Sequence, residues 1–263
     1  MVHLKSGCHK DFCKNSISKA GWVVSRAQSA KLYPIELSKQ ECQIVDSVLH
    51  DKLTMVSFER LIATLMACKY VLENSIEGDF VECGVWRGGN AIVAAEMFKL
   101  YSAEKQVWLF DTFLGMTEPS TIDIDFRGQS AKNEYLANQS VNFNKWCYAS
   151  LEEVRNNFSS RNLLSSRIHF VKGDVTKTLY QKKLPKSISI LRLDTDWFES
   201  TKVECEILYP KISLGGCLIV DDYGHWGGAR RAVDQYFKKL PIKPFFHVTD
   251  YTGRIGVKTT LRD

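Results

Sequence analysis

Hydrophobic and polar positions alternate between two periods along this chain. Residues 80–83, 107–110, 167–171, 187–193 and 217–220 form short apolar runs without helical spacing, and they read as buried strands. Between them, residues 57–72 carry apolar side chains three and four apart behind the possible caps Thr54 and Ser57, and residues 91–98, 201–209 and 228–240 repeat that spacing. Residues 245–248 and 254–258 read as a final hairpin turning at Thr252-Gly253. Strands separated by helices predict an α/β fold: a mostly parallel seven-stranded sheet with an antiparallel C-terminal hairpin and helices on both faces. The section 114–164 is too long for a passive connection; it is expected to form a lid, with a helix over 141–158. Residues 1–53 read as an N-terminal arm with helices and 54–263 as the core.

Composition narrows the class. With 263 residues and 44% hydrophobic content the chain can build a sizeable core, and a net charge of +5 spread over short basic clusters predicts neither a nucleic-acid nor a membrane partner. No run approaches the roughly 18 apolar residues of a membrane span, so a soluble, cytoplasmic protein is expected. The eight cysteines include no CxxC pair and several lie in apolar segments, as buried thiols of a reducing compartment would.

The chemistry gathers where the predicted strands end. In open α/β sheets ligands bind beyond the carboxyl ends of the strands, and here those ends read Glu82 with Gly84, Gly88 and Gly89, then Asp111, Asp174, Asp194 with Asp196, and Asp221 with Asp222. The glycine spacing is neither GxGxxG nor a P-loop, yet it lets backbone approach a ligand. Asp111, about 20 residues on, stands where an acid meets ribose hydroxyls. A nucleoside cofactor follows, either a dinucleotide or S-adenosylmethionine, and the missing glycine order favours the second. Several aspartates brought together call for a cation, and an oxygen-only set suits Mg²⁺. His225 reads as a ligand, a base or a packing residue.

These motifs in this order, FVECGVWRGG (80–89), FDTFLGM (110–116), LRLDTDWFEST (191–201), DDYGHWGGARRAVDQYF (221–237) and DYTGRIGVK (250–258), with TMVSFERL (54–61) upstream, resemble the macrocin O-methyltransferase family. The resemblance implies a class I, Rossmann-like S-adenosylmethionine-dependent fold, Mg²⁺ dependence, methylation of a sugar hydroxyl on a small molecule or glycan, and a homodimer or higher homo-oligomer. It places Met55, Ser57, Glu82, Gly84, Gly88, Asp111, Gly173 and Asp174 around the cofactor. Asp194, Asp221 and Asp222 would be metal ligands and Asp196 the general base. Methylation of catechol-type diols, an NAD-linked oxidoreductase and a non-catalytic binding protein are the competing readings. Trp146 and Tyr148 in the lid read as core residues, with stacking surfaces for the acceptor as the alternative.

Overall fold

A computed structural model describes residues 32–260, and the chain divides into two units between Leu37 and Ser38. The expectations for residues 1–31, including Cys8 and Cys13, lie outside the described residues. The second unit opens with a capping box. The Ser38 amide donates to Glu41 Oε2 at 2.6 Å and the Glu41 amide to Ser38 Oγ at 3.3 Å, so helix α1 (Lys39–His50) starts three residues later than Glu36, where the helical pattern begins.

Helix α2 (Phe58–Glu73), capped by Ser57, leads into β1 (Asp79–Cys83), α3 (Gly89–Leu100) and β2 (Val107–Asp111). Short helices α4 (Lys132–Ala137) and α5 (Leu151–Ser159) occupy the long connection before β3 (Ile168–Lys172). Then come α6 (Val175–Gln181), β4 (Ile188–Leu193), α7 (Phe198–Leu208), β5 (Ile212–Val220), α8 (Gly227–Phe237), β6 (His247–Val248) and β7 (Arg254–Val257). The seven strands lie in the order β3-β2-β1-β4-β5-β7-β6, parallel except for β7 against β5 and β6. This is the architecture that the alternating pattern predicts.

Central strands β1 and β4 are covered on both faces, which is why they read as continuous apolar runs. On one face Val81, Cys83, Trp108, Phe110, Leu191 and Leu193 pack with α6, α7 and α8. The parallel register sets Glu82 opposite Arg192 and Cys83 opposite Leu193, so the strands end level with one another beneath the site.

Two local expectations need correction. Residues 141–150 are not helical, because Asn144 hydrogen-bonds locally: its amide donates to the Tyr135 carbonyl at 2.8 Å and its Oδ1 accepts from the Trp146 amide at 2.9 Å. Strand β6 holds only two residues of the expected 245–248, close behind Pro241 and Pro244, which lack backbone donors. Among the described residues no helix is long and apolar enough to cross a membrane, and the cysteines are free thiols.

Candidate active site

The turn after β1 is built around Gly84 and Asp111. Gly84 has φ +83°, and a methyl group there would overlap the Asp194 carbonyl oxygen, so only glycine lets the ends of β1 and β4 approach this closely. Asp111, at the end of β2, grips the turn: its Oδ2 accepts from the Val85 and Trp86 amides at 2.6 and 3.2 Å, and its Oδ1 from the Phe113 amide at 2.6 Å. Burial nevertheless holds its pKa above the usual carboxylate value.

A cavity runs along the carboxyl ends of β3, β2, β1, β4 and β5. Most of the residues singled out in the sequence line it: Met55, Glu82, Gly84 and Asp111, then Gly173 and Asp174 after β3, and Asp194, Asp196, Asp221 and Asp222 after β4 and β5. Ser57 and Gly88 do not. Ser57 caps α2 and donates to Asp250 Oδ2 at 2.8 Å, while a methyl at Gly88 would face Phe158 and Val154 under α3. Both support the walls rather than reach the cavity. The Asp174 side chain caps α6, accepting from the Thr176 amide at 2.9 Å and hydroxyl at 2.7 Å.

At the β4–β5 end, carboxylates and guanidiniums interlock. Asp194, Asp221 and Asp222 each offer an oxygen within 4.8 Å of the others. Arg192, buried in β4, donates through Nη1 to Glu82 at 2.7 Å and to Asp194 at 2.6 Å, and through Nη2 to Asp221. Arg60 on α2 reaches Asp221 as well, and its Nε lies 3.0 Å from Asp250. Burial alone would lower the Arg192 pKa, but Asp194, Asp221 and Glu82 hold it well above the usual value. Two cations do not balance these acids. Burial and mutual repulsion push Asp194 and Asp222 well above the usual range, burial pushes Asp196 up to about 7, and Glu82 rises to about 7 for the same reason despite Arg192. Asp196 hydrogen-bonds Asp222 and the Trp226 indole, and it sits at φ +69°, a strained backbone of the kind found at functional sites.

Arg192 and Arg60 are the site residues that sequence reasoning missed. The signal for Arg192 was present: an arginine inside the apolar run ILRL must be buried, and a buried guanidinium requires acids around it.

The 114–164 segment is tied to the same corner. Asp123, fully buried in the 114–164 segment, accepts from the Phe198 amide at 2.8 Å and so caps α7 from outside its own chain segment. Trp146, Trp197 and Trp226 form an edge-on triangle with centroids 5.0 to 6.0 Å apart. Trp146 is therefore part of the anchor of this segment, packed as a core residue. Tyr148 packs on Phe143 at 4.6 Å. His225 packs too, with Nδ1 2.8 Å from the Tyr251 hydroxyl and its ring against Trp226 and Phe126.

Known proteins share this plan. Residues 28–255 match the model of the macrocin O-methyltransferase (TylF) family. The chain is 33% identical over 201 residues to demethyldecarbamoylnovobiocin O-methyltransferase from Streptomyces niveus, covering 76% of this chain and 73% of that one. It is 32% identical over 208 residues to 8-demethyl-8-(2,3-dimethoxy-alpha-L-rhamnosyl)-tetracenomycin-C 4'-O-methyltransferase from Streptomyces olivaceus, covering 79% and 75%. The solved structure of the O-methyltransferase NovP superposes with a TM-score of 0.70 at 31% identity, over 79% of this chain and 82% of that one. With the family model spanning nearly the whole described body, the chain belongs to the macrocin O-methyltransferase family and is an O-methyltransferase.

Proposed function

We propose that this protein transfers the methyl group of S-adenosylmethionine to a sugar hydroxyl on a small molecule, at a site that holds a divalent cation, Mg²⁺ by its donor chemistry. The observation that carries this reading is the convergence of Asp194, Asp221 and Asp222 oxygens within 4.8 Å, next to Asp196, at one end of a cavity over the glycine turn. Three carboxylates at this spacing match the oxygen preference of a hard cation, and burial, reinforced by repulsion from the neighbouring aspartates, pushes Asp194 and Asp222 well above the usual carboxylate range, a cost that a bound cation would relieve. The rhamnosyl group in the tetracenomycin relative's name supports a sugar acceptor.

The cavity also suits the cofactor. Glu82 Oε2 is buried and has no hydrogen-bond partner among the described residues, although its other oxygen is held by Arg192. A buried acceptor left open beside the turn is matched by the ammonium of a methionyl group. Asp194, Asp221 and Asp222 would hold the cation, which would supply charge neutralisation and Lewis-acid polarisation of an acceptor hydroxyl. Asp196 takes the hydroxyl proton as the oxygen forms its bond to the methyl carbon and the carbon–sulfur bond breaks, leaving S-adenosylhomocysteine. The Asp111 clamp and the Trp226 indole fix the turn and the base beforehand, and the anchored lid keeps water away.

Titration calorimetry with S-adenosylhomocysteine and with Mg²⁺ tests both parts. Saturable binding of each is expected, with Asp221→Asn weakening Mg²⁺ by at least tenfold and S-adenosylhomocysteine by less than threefold. Absence of S-adenosylhomocysteine binding would overturn the reading. An Mg²⁺ affinity unaffected by Asp221→Asn would remove the metal site from it.

A further inference from the structure

Behind the catalytic turn sits a carboxyl group that the proposed transfer does not use. Glu204 lies on α7, fully buried, on the opposite face of the sheet from Arg192 and Glu82. Its Oε1 accepts a hydrogen bond from Thr195 Oγ1 at 2.8 Å, and the Cys83 thiol at the end of β1 reaches the same carboxyl as a weak donor. Oε2 is buried with no hydrogen-bond partner among the described residues, and no cation pairs with Glu204 there. Desolvation pushes its pKa up to about 8, so around neutral pH it is mostly an uncharged acid.

Thr195 is the residue between the two aspartates of the turn and itself lines the cavity. The turn carries local tension, with Asp196 at φ +69° and the Trp197 amide donating back to the Thr195 carbonyl at 2.8 Å. The Thr195 hydroxyl is pulled to the far side of the sheet by Glu204 while the Asp194 and Asp196 carboxylates stand over the cavity. A turn gripped from below in this way has fewer arrangements open to its carboxylates.

We propose that Glu204 is a positioning residue: through its hydrogen bond to Thr195 it fixes the Asp194–Thr195–Asp196 turn and thereby the geometry of the base and of one metal ligand. The proposal rests on the roles given to Asp194 and Asp196 above, but the hydrogen bond and its effect on the turn can be tested apart from them. A lone buried carboxyl costs stability, and the hydrogen bond to Thr195 is the contact through which this one acts on the turn.

Two substitutions separate this role from simple packing. Glu204→Gln keeps an oxygen acceptor for Thr195, whereas Glu204→Met keeps the shape and removes the acceptor. Hydrogen exchange by mass spectrometry on the apoprotein should show amides of residues 193–198 exchanging at least tenfold faster in Glu204→Met and within twofold of wild type in Glu204→Gln. The melting temperature of Glu204→Met should be unchanged or higher, because a buried polar group has gone. Thr195→Val should match Glu204→Met, and the double variant should be no faster. In calorimetry, Mg²⁺ affinity should fall severalfold in Glu204→Met and be kept in Glu204→Gln. Wild-type exchange in Glu204→Met would overturn the proposal, as would faster exchange accompanied by a lowered melting temperature and spread over the whole sheet. If wild-type protein binds no Mg²⁺, the metal reading fails while the exchange comparison still decides the role of Glu204.

Discussion

Replacing Arg192 with methionine is expected to destabilise the protein by about 3–5 kcal/mol, the range seen when one partner of a buried charge network is removed. For a domain of this size that corresponds to a melting temperature lower by on the order of 10 °C. The side chain is only 1% exposed and is the shared partner of Glu82, Asp194 and Asp221, so its loss leaves three acids facing one another, with Glu82 and Asp221 themselves almost fully buried. Lysine should recover little of the loss, because one ammonium cannot reproduce a fork that serves three carboxylates. The sign of the pH effect is fixed by the acids. Glu82 is already raised to about 7 with Arg192 present, and without the arginine its proton is held more tightly still. Lowering the pH therefore neutralises the uncompensated charge, and the deficit of the variant should shrink towards pH 5 and widen towards pH 8. Thermal melts across that range check this; a variant melting within 2 °C of wild type at pH 8 would show that the network is not what holds β1, β4 and β5 together.

Asp196→Asn should lower the methyl-transfer rate by about 10²–10⁴ while leaving the fold intact. Asparagine tolerates the left-handed backbone found at this position, and it can still accept from the Trp226 indole, so the turn has no reason to rearrange. What is lost is the carboxylate proposed to receive the proton. With Asp196 as the proposed base, the wild-type rate is expected to show an acid limb: the carboxyl, pushed up to about 7 by burial, would have to be ionised to act, so the rate should rise as pH increases through its pKa. A divalent cation bound at the neighbouring aspartates would favour the ionised form and move that limb to lower pH. S-adenosylhomocysteine affinity should stay within about threefold in Asp196→Asn. Turnover near the wild-type level would assign the base elsewhere.

The aspartates were legible because parallel strands end on one edge of the sheet. Once residues 80–83, 107–110, 187–193 and 217–220 read as strands, Glu82, Asp111, Asp194 and Asp221 were bound to meet, whatever the loops did. The contacts that cross between elements were not legible. Arg60 lies 161 residues from Asp221, and nothing in the helical spacing of TMVSFERL tells which acid its guanidinium will find. Asp123 reads as one more polar residue in a turn-prone stretch, yet it caps α7 from 75 residues away. Ser57 illustrates a local role that the family motif did not reveal. Its position in a family motif suggested a cofactor contact, but a serine ahead of a helix has a local task, and the hydroxyl spends itself on the Arg60 amide and on Asp250. Glu204 was hidden for a similar reason: on an amphipathic helix a glutamate is expected on the wet face, and only the packing of α7 against the ends of β1 and β4 shows that this one is inside.

The most direct test of the account is the identity of the methylated atom. Protein supplied with S-adenosylmethionine carrying a ¹³C methyl group is incubated with a rhamnosylated aromatic compound, and in parallel with a sugar-free catechol, each with Mg²⁺ or with a chelator. The products are then read by NMR. Sugar O-methylation at a cation site gives a new methoxy signal correlated to a sugar carbon of the glycoside, present with Mg²⁺ and lost with the chelator. A label on the phenolic oxygen of the catechol with none on the sugar, or transfer undiminished by the chelator, would contradict it.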